Sequence, residues 1–341
     1  PELLLQGTTY MDKYLEIHNR DDHNGKLDAW KNSLDETTSW LWDIAMLPII
    51  SKLKEMKFSG SQVVLIPLGK LALLPLHAAW VSDSSQPCGR QYALDFFAFT
   101  YAPSALALMH ARSRAKKVKG EKLLVIENPG LFFSEPAAQV ALSLFGDSTY
   151  LRGEAANFDA VQQAFQNHNI LYFLTHGIAR FDEPLQSTLN LADKPLTLDD
   201  IFAIQTDSVR LAVLAACETG IPSNLDLLDE VISLPSALMQ AGVPSVIGSL
   251  WMVSDVSTPI LMSVFFEQWR EGGLSVPLAL QKAQIILRDA RSDEGAMNYI
   301  KGLLAKMILS SDSDADKLYN ELLIHDFDHP FYWAAFMYIG L

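Results

Sequence analysis

The feature that most constrains the fold is the alternation of short apolar segments with helical segments after residue 120. Segments 170–174 and 211–215 are almost entirely apolar, and their length is typical of strands buried on both faces. A chain that alternates strand and helix in this way predicts an α/β fold with a mostly parallel sheet covered by helices on both faces. The predicted strands are 122–127, 170–174, 211–215, 244–250 and 331–340, and the predicted helices are 153–167, 233–241, 258–269 and 276–288.

The first third of the chain has its own pattern. Residues 1–30 show no strong periodicity, whereas later segments predict helices at 31–56 and 104–114 and strands at 63–67 and 96–101. A basic cluster ends at Gly120, and we expect a boundary between two half-domains there, 1–120 and 121–341. A polar insertion at about 291–329 is either a solvated excursion or a docking site for a partner. The chain starts at Pro1, and we expect it to be a piece of a longer protein.

Composition narrows the class of protein. Hydrophobic residues make up 49% and charged residues 19% of the 341 positions, which is a globular balance. The net charge of −14 repels phosphate backbones, so we expect no direct nucleic-acid binding and a preference for basic partners. Two cysteines without metal-binding spacing suit a reducing, cytoplasmic location, and we expect neither a metal nor a cofactor. No signal peptide or membrane-spanning apolar run is apparent.

Two predicted strands end in residue types that carry chemistry. His176 follows the strand 170–174, and Cys217 follows the strand 211–215. In parallel sheets, functional groups gather beyond the carboxyl ends of the strands. The spacing of 217 − 176 = 41 residues allows one excursion that returns to a neighbouring strand. We therefore expect both side chains at one edge of the sheet.

The chemistry of this pair favours nucleophilic catalysis. A nearby imidazole makes the nucleophilic thiolate of Cys217 available at neutral pH. Gly177 leaves room for a substrate, and its amide and that of Cys217 are candidates for holding an oxyanion. Taken singly, a cysteine at a strand end is more often a small buried apolar residue, and a loop histidine is more often a surface residue.

The order of the two residues separates the classes of cysteine enzyme. Papain-like enzymes and class I glutamine amidotransferases place the cysteine before the histidine. After Cys217 only His325 and His329 remain, both in a polar segment. The residues around Cys217 also do not form a G-x-C-x-G nucleophile elbow. Histidine first and cysteine about forty residues later suits the caspase-type arrangement.

Further motifs make the sequence similar to a known family, the CHAT domains, which are caspase-like relatives often joined to TPR repeats. The resemblance covers nearly the whole chain. The motifs that carry it are Val64-Leu65-Ile66-Pro67-Leu68-Gly69, Tyr101-Ala102-Pro103-Ser104, Gly153-Glu154-Ala155-Ala156, Thr175-His176-Gly177, Ala216-Cys217-Glu218-Thr219-Gly220, Gly248-Ser249-Leu250-Trp251 and Trp333-Ala334-Ala335-Phe336.

The resemblance implies a caspase-like fold in which 1–120 is a degenerate, pseudo-caspase-like companion to the catalytic half, with His176 and Cys217 as the dyad. It also implies peptide-bond hydrolysis in a protein substrate, controlled by a TPR or sensor-type domain or activator protein. Some family members act in RNA-guided type III CRISPR defence and others in bacterial signalling. The leading hypothesis is a regulated cysteine endopeptidase. The alternatives are a catalytically silent CHAT scaffold and an amidase or transferase acting on small molecules.

The expected substrate pocket is acidic. Glu218 follows the nucleophile, Glu230 lies on the next segment, and Asp255 follows a strand beside the nucleophile strand in a motif similar to one of separases. A pocket carboxylate rejects aspartate and accepts a cation, so we expect a basic or long unbranched residue before the cleaved bond. Alternatively, Asp255 caps the helix that begins near Thr258. His77 and Cys88 are expected to have no catalytic role.

Overall fold

The computed structural model gives the arrangement of most of the chain. The described residues are 2–17, 23–128, 131, 133–180, 183–217, 219, 233–310, 320–321 and 326–341. The strands are β1 (Gln62–Leu65), β2 (Trp80–Ser82), β3 (Arg90–Tyr92), β4 (Ala98–Tyr101), β5 (Leu123–Glu127), β6 (Ser148–Arg152), β7 (Ile170–Leu174), β8 (Gly177–Ile178), β9 (Thr188–Leu189), β10 (Leu196–Thr197), β11 (Leu211–Ala215), β12 (Ser245–Ser249) and β13 (Phe336–Gly340).

Helices separate most of these strands. The α-helices are α1 (Glu2–Ile17), α2 (His23–Leu41), α3 (Leu47–Glu55), α4 (Ala105–Ala115), α5 (Ser134–Ser143), α6 (Phe158–Phe165), α7 (Leu198–Ala203), α8 (Leu234–Gln240), α9 (Ser257–Arg270), α10 (Val276–Arg288), α11 (Glu294–Ser310) and α12 (Pro330–Trp333). A π-helical turn, Trp42–Met46, joins α2 to α3, and 3-10 turns occur at Gly69–Leu73, Leu76–Ala78, Ala93–Asp95, Gly153–Ala155 and Pro184–Gln186.

Eight of the described strands form one sheet in the order β1-β4-β13-β12-β11-β7-β5-β6. The strands from β12 to β6 run parallel to one another, and so do β1, β4 and β13. The two blocks meet at β12 and β13, which pair antiparallel. The mostly parallel α/β sheet predicted from the sequence is confirmed. The half-domain boundary at residue 120 stays a prediction. Strand β13, from the end of the chain, pairs with β4 of the first third, so both parts contribute to one sheet.

Both faces of the sheet are buried under helices. Along β7, Tyr172 points into one core, where its ring lies 4.8 Å from that of Phe266 on α9. Phe173 points into the other core, 6.3 Å from Phe165 on α6. This double burial explains why the central strands are continuous apolar runs rather than alternating patterns.

Several element boundaries differ from the sequence-based ones for local reasons. The helix predicted at 153–167 begins only at Phe158, because the Asn157 side chain caps it by accepting from the Ala160 amide. The final strand begins at Phe336 rather than at residue 331, because α12 comes first with Pro330 in its first turn.

Two regions that looked irregular or polar in sequence contain packed helices. Residues 1–30 contain α1 and the start of α2, and Tyr10, Tyr14 and Ile17 recur at helical spacing along the buried side of α1. The predicted polar insertion begins with α11, whose residues Ile300, Leu303, Leu304 and Met307 are buried.

Candidate active site

His176 and Cys217 lie just beyond the ends of two neighbouring strands. In the parallel ladder between β7 and β11, Leu174 pairs with Ala215, and each candidate follows its strand by two residues. The register offset, 215 − 174 = 41, is the same as the sequence spacing of the two candidates. His176 is exposed to solvent, and Cys217 is half-buried. The expected meeting of the two loops at one edge of the sheet is therefore what the structure describes.

The segment that carries His176 is fixed through its backbone. Its carbonyl oxygen accepts a hydrogen bond from the Asn190 amide at 2.9 Å, and Gly177 pairs antiparallel with Leu189. The Asn128 amide donates to the Leu174 carbonyl at 3.0 Å, and the Asn128 side chain donates to the Asn190 carbonyl at 3.2 Å. These bonds place the imidazole on a supported turn rather than on an open loop.

Gly177 marks the point where the two turns touch. A Cβ atom at this position would lie 2.4 Å from the carbonyl oxygen of Cys217 and 3.2 Å from the Thr219 side chain. Any side chain would therefore push the histidine turn away from the cysteine turn. The glycine is needed here for close backbone approach rather than for an unusual φ angle.

A buried serine shapes the turn that presents Cys217. The Ser249 hydroxyl, at the end of β12, donates to the Ala216 carbonyl at 2.6 Å. The Ser249 amide donates in turn to the Thr219 hydroxyl at 2.8 Å. Both side chains are almost fully buried. In the sequence, Ser249 stood out only as part of a family motif. Its place at the end of β12, the neighbour of the strand that precedes Cys217, is the signal that could have revealed this role.

The thiol of Cys217 contacts the segment that follows β12. The Val253 amide donates to Cys217 Sγ at 3.4 Å, and Sγ lies 3.9 Å from the Val253 carbonyl oxygen. A backbone amide that donates to sulfur stabilises negative charge on it, whereas the contact in which the thiol donates to a carbonyl stabilises the protonated form. Sequence reasoning did not identify Val253, since a backbone contact leaves no mark on residue type.

Asp255 lies on the same segment, exposed to solvent and close to His176. The protein atoms around its carboxyl raise its pKa above the ordinary value, and the neighbouring His176 opposes this shift. Asp255 is not the cap of the next helix. The N-cap residue of that helix is Val256, which no side chain caps, and the nearby Ser254 hydroxyl accepts from the amides of Val256 and Ser257 at 3.2 and 3.3 Å. Asp255 is therefore not engaged as a helix cap, and its carboxyl interacts electrostatically with His176.

A small cavity of about 30 Å³ opens beside the thiol. Its wall is largely uncharged, and Ser134 in that wall is tied back to the buried Glu127 by a 2.6 Å hydrogen bond. Asp255 is the ionisable carboxylate among the described residues that line it. A larger cavity of about 1120 Å³ lies elsewhere, between α4 and α8, and contains neither member of the dyad. The cavity beside the thiol is lined by Leu131, Ser134, Leu174, Thr175, Ala215, Ala216, Cys217, Val253, Asp255, Thr258 and Pro259.

The remaining features that the sequence addressed are two predicted pocket residues, metal-binding groups and membrane-spanning helices. Glu218 and Glu230 both fall outside the described part of the chain. Within that part, no group of three or more His, Cys, Asp or Glu side chains is arranged to hold a metal ion. The described helices also include none that combines the length and apolar character needed to cross a bilayer.

His77 and Cys88 each bond to groups other than His176 and Cys217. His77 is buried, with Nδ1 2.8 Å from the Tyr101 hydroxyl and Nε2 3.1 Å from the Ala334 carbonyl, and burial lowers its pKa to about 4. The Cys88 thiol donates to the Arg90 carbonyl at 3.3 Å, and burial raises its pKa. Neither environment favours proton transfer or thiolate formation at neutral pH.

One known protein family matches most of the chain. The sequence model of the CHAT domain matches residues 35–341. The chain belongs to the CHAT domain family. No curated protein matches it over its sequence.

Two solved structures illustrate what this CHAT domain is similar to in fold. A chain of the Saccharomyces cerevisiae separase–securin complex has a TM-score of 0.50 and 16% identity over 82% of this chain. The Arg-specific cysteine proteinase gingipain R has a TM-score of 0.51 and 10% identity over 91% of this chain. The CHAT domain spans about 15% of the separase chain and 67% of the gingipain chain. At these identities the likeness concerns the fold, and it confirms the predicted caspase-like α/β architecture.

The first prediction concerns Ser249. Ser249→Ala should lower the free energy of unfolding by about 1–3 kcal/mol, because it leaves the buried Ala216 carbonyl without its donor. Urea denaturation would measure the change. Ser263→Ala is the matched control, since the Ser263 hydroxyl is buried in α9 without a hydrogen-bond partner among the described residues. Equal destabilisation by both substitutions would contradict the role given to Ser249.

Proposed function

We propose that this CHAT domain is a cysteine endopeptidase in which Cys217 is the nucleophile and His176 is its general base. The observation that carries the proposal is the shared register of the two strands, which sets both residues at the same level beyond a common sheet edge. The contact between Gly177 and the Cys217 backbone supports it, because this contact holds the two turns against each other.

The reaction follows from these groups. His176 accepts the thiol proton, and the thiolate of Cys217 forms a bond to the carbonyl carbon of the substrate peptide. Collapse of the tetrahedral intermediate breaks the C–N bond, and His176 donates its proton to the leaving amine. Water then gives a proton to His176 and attacks the thioester. The acid product leaves, and the proton returns to the Cys217 sulfur.

The oxyanion of each tetrahedral intermediate needs hydrogen-bond donors. We assign this role to the backbone amides of Gly177 and Cys217. The Asn190 amide bonds to the His176 carbonyl, so Gly177 and Leu189 form the non-hydrogen-bonded kind of antiparallel pair. The ladder between β8 and β9 therefore does not use the Gly177 amide, which supports its assignment to the substrate.

We assign the substrate-side carboxylate to Asp255, which lines the cavity beside Cys217. Its negative charge would favour a basic side chain before the cleaved bond and exclude aspartate. Gingipain R, one of the structural neighbours, is described as Arg-specific. Glu218 and Glu230 remain proposals from the sequence for the same pocket. The proximity of Asp255 to His176 also permits a second role, in which it orients the imidazole.

The second prediction tests the dyad. Cys217→Ala and His176→Ala should each lower peptide cleavage by at least roughly a thousandfold, because the two groups act as a unit. Product release from a proteome-derived peptide library would be measured by mass spectrometry. Cys88→Ala should retain wild-type turnover. Cleavage by the Cys217→Ala protein at the wild-type rate would exclude the dyad and leave the silent scaffold or another enzyme class.

The third prediction concerns Asp255. Asp255→Asn should abolish the preference for a basic residue before the cut, whereas Asp199→Asn, an exposed change on α7, should not. The raised pKa of Asp255 means that its carboxylate is neutralised at a higher pH than an ordinary aspartate as pH falls. As pH falls, the preference of the wild type for a basic residue before the cut should therefore begin to weaken at a higher pH than an ordinary aspartate would give.

Mass-spectrometric mapping of cut sites at several pH values would measure this preference. Cuts clustered after aspartate would contradict the pocket assignment. An Asp255→Asn protein with unchanged preference but slower turnover would instead favour the role of orienting His176.

We further propose that the substrate is a protein and that a TPR or sensor-type domain, or an activator protein, controls the activity. The neighbouring separase was solved together with securin, which is in line with a protein partner. A thiol nucleophile suits a reducing location such as the cytoplasm. Under this proposal the chain alone is latent or weakly active, since the productive arrangement is one that a partner selects. Rapid cleavage of a peptide library by the chain alone would refute the latency.

A further inference from the structure

The helices α1 and α2 form a hairpin that packs against the segment following β12. An aromatic cluster joins the two. The Trp30 ring of α2 lies 5.1 Å from that of Tyr14 and 5.7 Å from that of Trp251. All three side chains are almost fully buried. Trp251 is also fixed through its indole N–H, which donates to the Phe331 carbonyl at 3.1 Å.

One hydrogen bond extends this packing to the backbone. The amide of Met252 donates to the hydroxyl of Tyr14 at 2.9 Å. The next amide along the chain, that of Val253, donates to Cys217 Sγ. The φ and ψ angles of Met252 are the only soft torsions between these two amides, and sterics confine both angles, so an anchored Met252 amide limits the directions open to the Val253 amide. The tyrosine hydroxyl and the thiol are thus connected through two neighbouring amides.

The family match does not include most of this hairpin. The match to the CHAT domain begins at residue 35, whereas Tyr14 and Trp30 precede it. Simple packing of the hairpin on the core requires the aromatic rings only. Ring packing does not need the Tyr14 hydroxyl, which accepts a hydrogen bond from the Met252 amide, next along the chain to the amide that contacts the thiol.

We propose that Tyr14 is a positioning residue for the nucleophile: through the Met252 amide it holds the Val253 amide in line with Cys217 Sγ. The inference rests on the proposed function of Cys217. Without the Tyr14 hydroxyl, the segment that carries Met252 and Val253 can rotate. The hydrogen bond from the Val253 amide to sulfur then weakens, while the aromatic cluster stays packed. A weaker hydrogen bond to sulfur lowers the fraction of thiolate at a given pH.

The test is alkylation of the intact chain by iodoacetamide between about pH 5 and pH 9, with Cys217 and Cys88 resolved by peptide mass spectrometry. Tyr14→Phe should slow the alkylation of Cys217 at neutral pH by up to about fivefold, which is the effect of the complete loss of one hydrogen bond to sulfur. The pH of half-maximal alkylation should move upward, which a loss of overall stability alone would not produce. The Cys88 rate should stay unchanged.

Tyr10→Phe is the matched control. Tyr10 is a buried tyrosine of the same helix whose ring lies 5.7 Å from that of Trp30, and its substitution should leave the Cys217 profile unchanged. A Tyr14→Phe profile identical to that of the wild type would overturn the inference. If His176→Ala leaves the pH profile of Cys217 alkylation identical to that of the wild type, the proposed dyad is overturned instead. The two failures are therefore distinguishable.

Amide hydrogen exchange of the wild-type protein provides a second measurement that does not depend on a variant. The Met252 amide should be protected together with the amides of α1, since its acceptor lies on that helix. Exchange of Met252 at the rate of an exposed loop amide would overturn the inference as well.

Discussion

Parallel pairing between β7 and β11 is the interaction on which the proposed site depends. The ladder matches Leu174 with Ala215, and the two turns continue from this shared level. A slip of one residue would move every side chain of a strand to the opposite face of the sheet. Since both faces are buried under helices, such a slip would place large residues such as Tyr172 and Phe173 in the wrong core. Packing therefore enforces the register, and the register aligns His176 with Cys217.

The neighbouring strand β12 and the segment after it form hydrogen bonds with the turn that carries Cys217. Ser249, at the end of β12, bonds to the Ala216 carbonyl, and the segment that follows bonds to the thiol through Val253. The same segment carries Asp255 beside His176 and Trp251 within the aromatic cluster of the helical hairpin. The stretch 249–255 is thus the common contact of the turn, the thiol, the carboxylate and the first two helices. A change in its position would alter all of these at once.

Patterns of short range in the sequence predicted much of this arrangement. Apolar runs of strand length gave β5, β7, β11 and β12 to within one or two residues at each end, because burial on both faces leaves only apolar residues there. Chain order and strand-end positions predicted the location of His176, Cys217 and Gly177 at one edge. The helical spacing of Tyr10, Tyr14 and Ile17 was present as well, but it was obscured by the polar residues between them.

The chain's own pattern thus determined the α/β class and the strand ends and predicted the candidate dyad, since each depends on residues close together in sequence or on one strand spacing. Contacts between distant segments established the rest. These include the antiparallel joint between β12 and β13, the cavity that Asp255 shares with Cys217, and the bond from Met252 to Tyr14 across 238 positions. Such contacts form between backbone groups or common residue types, so residue identity alone does not reveal them. They arise only when packing of the whole chain brings the partners within hydrogen-bonding distance.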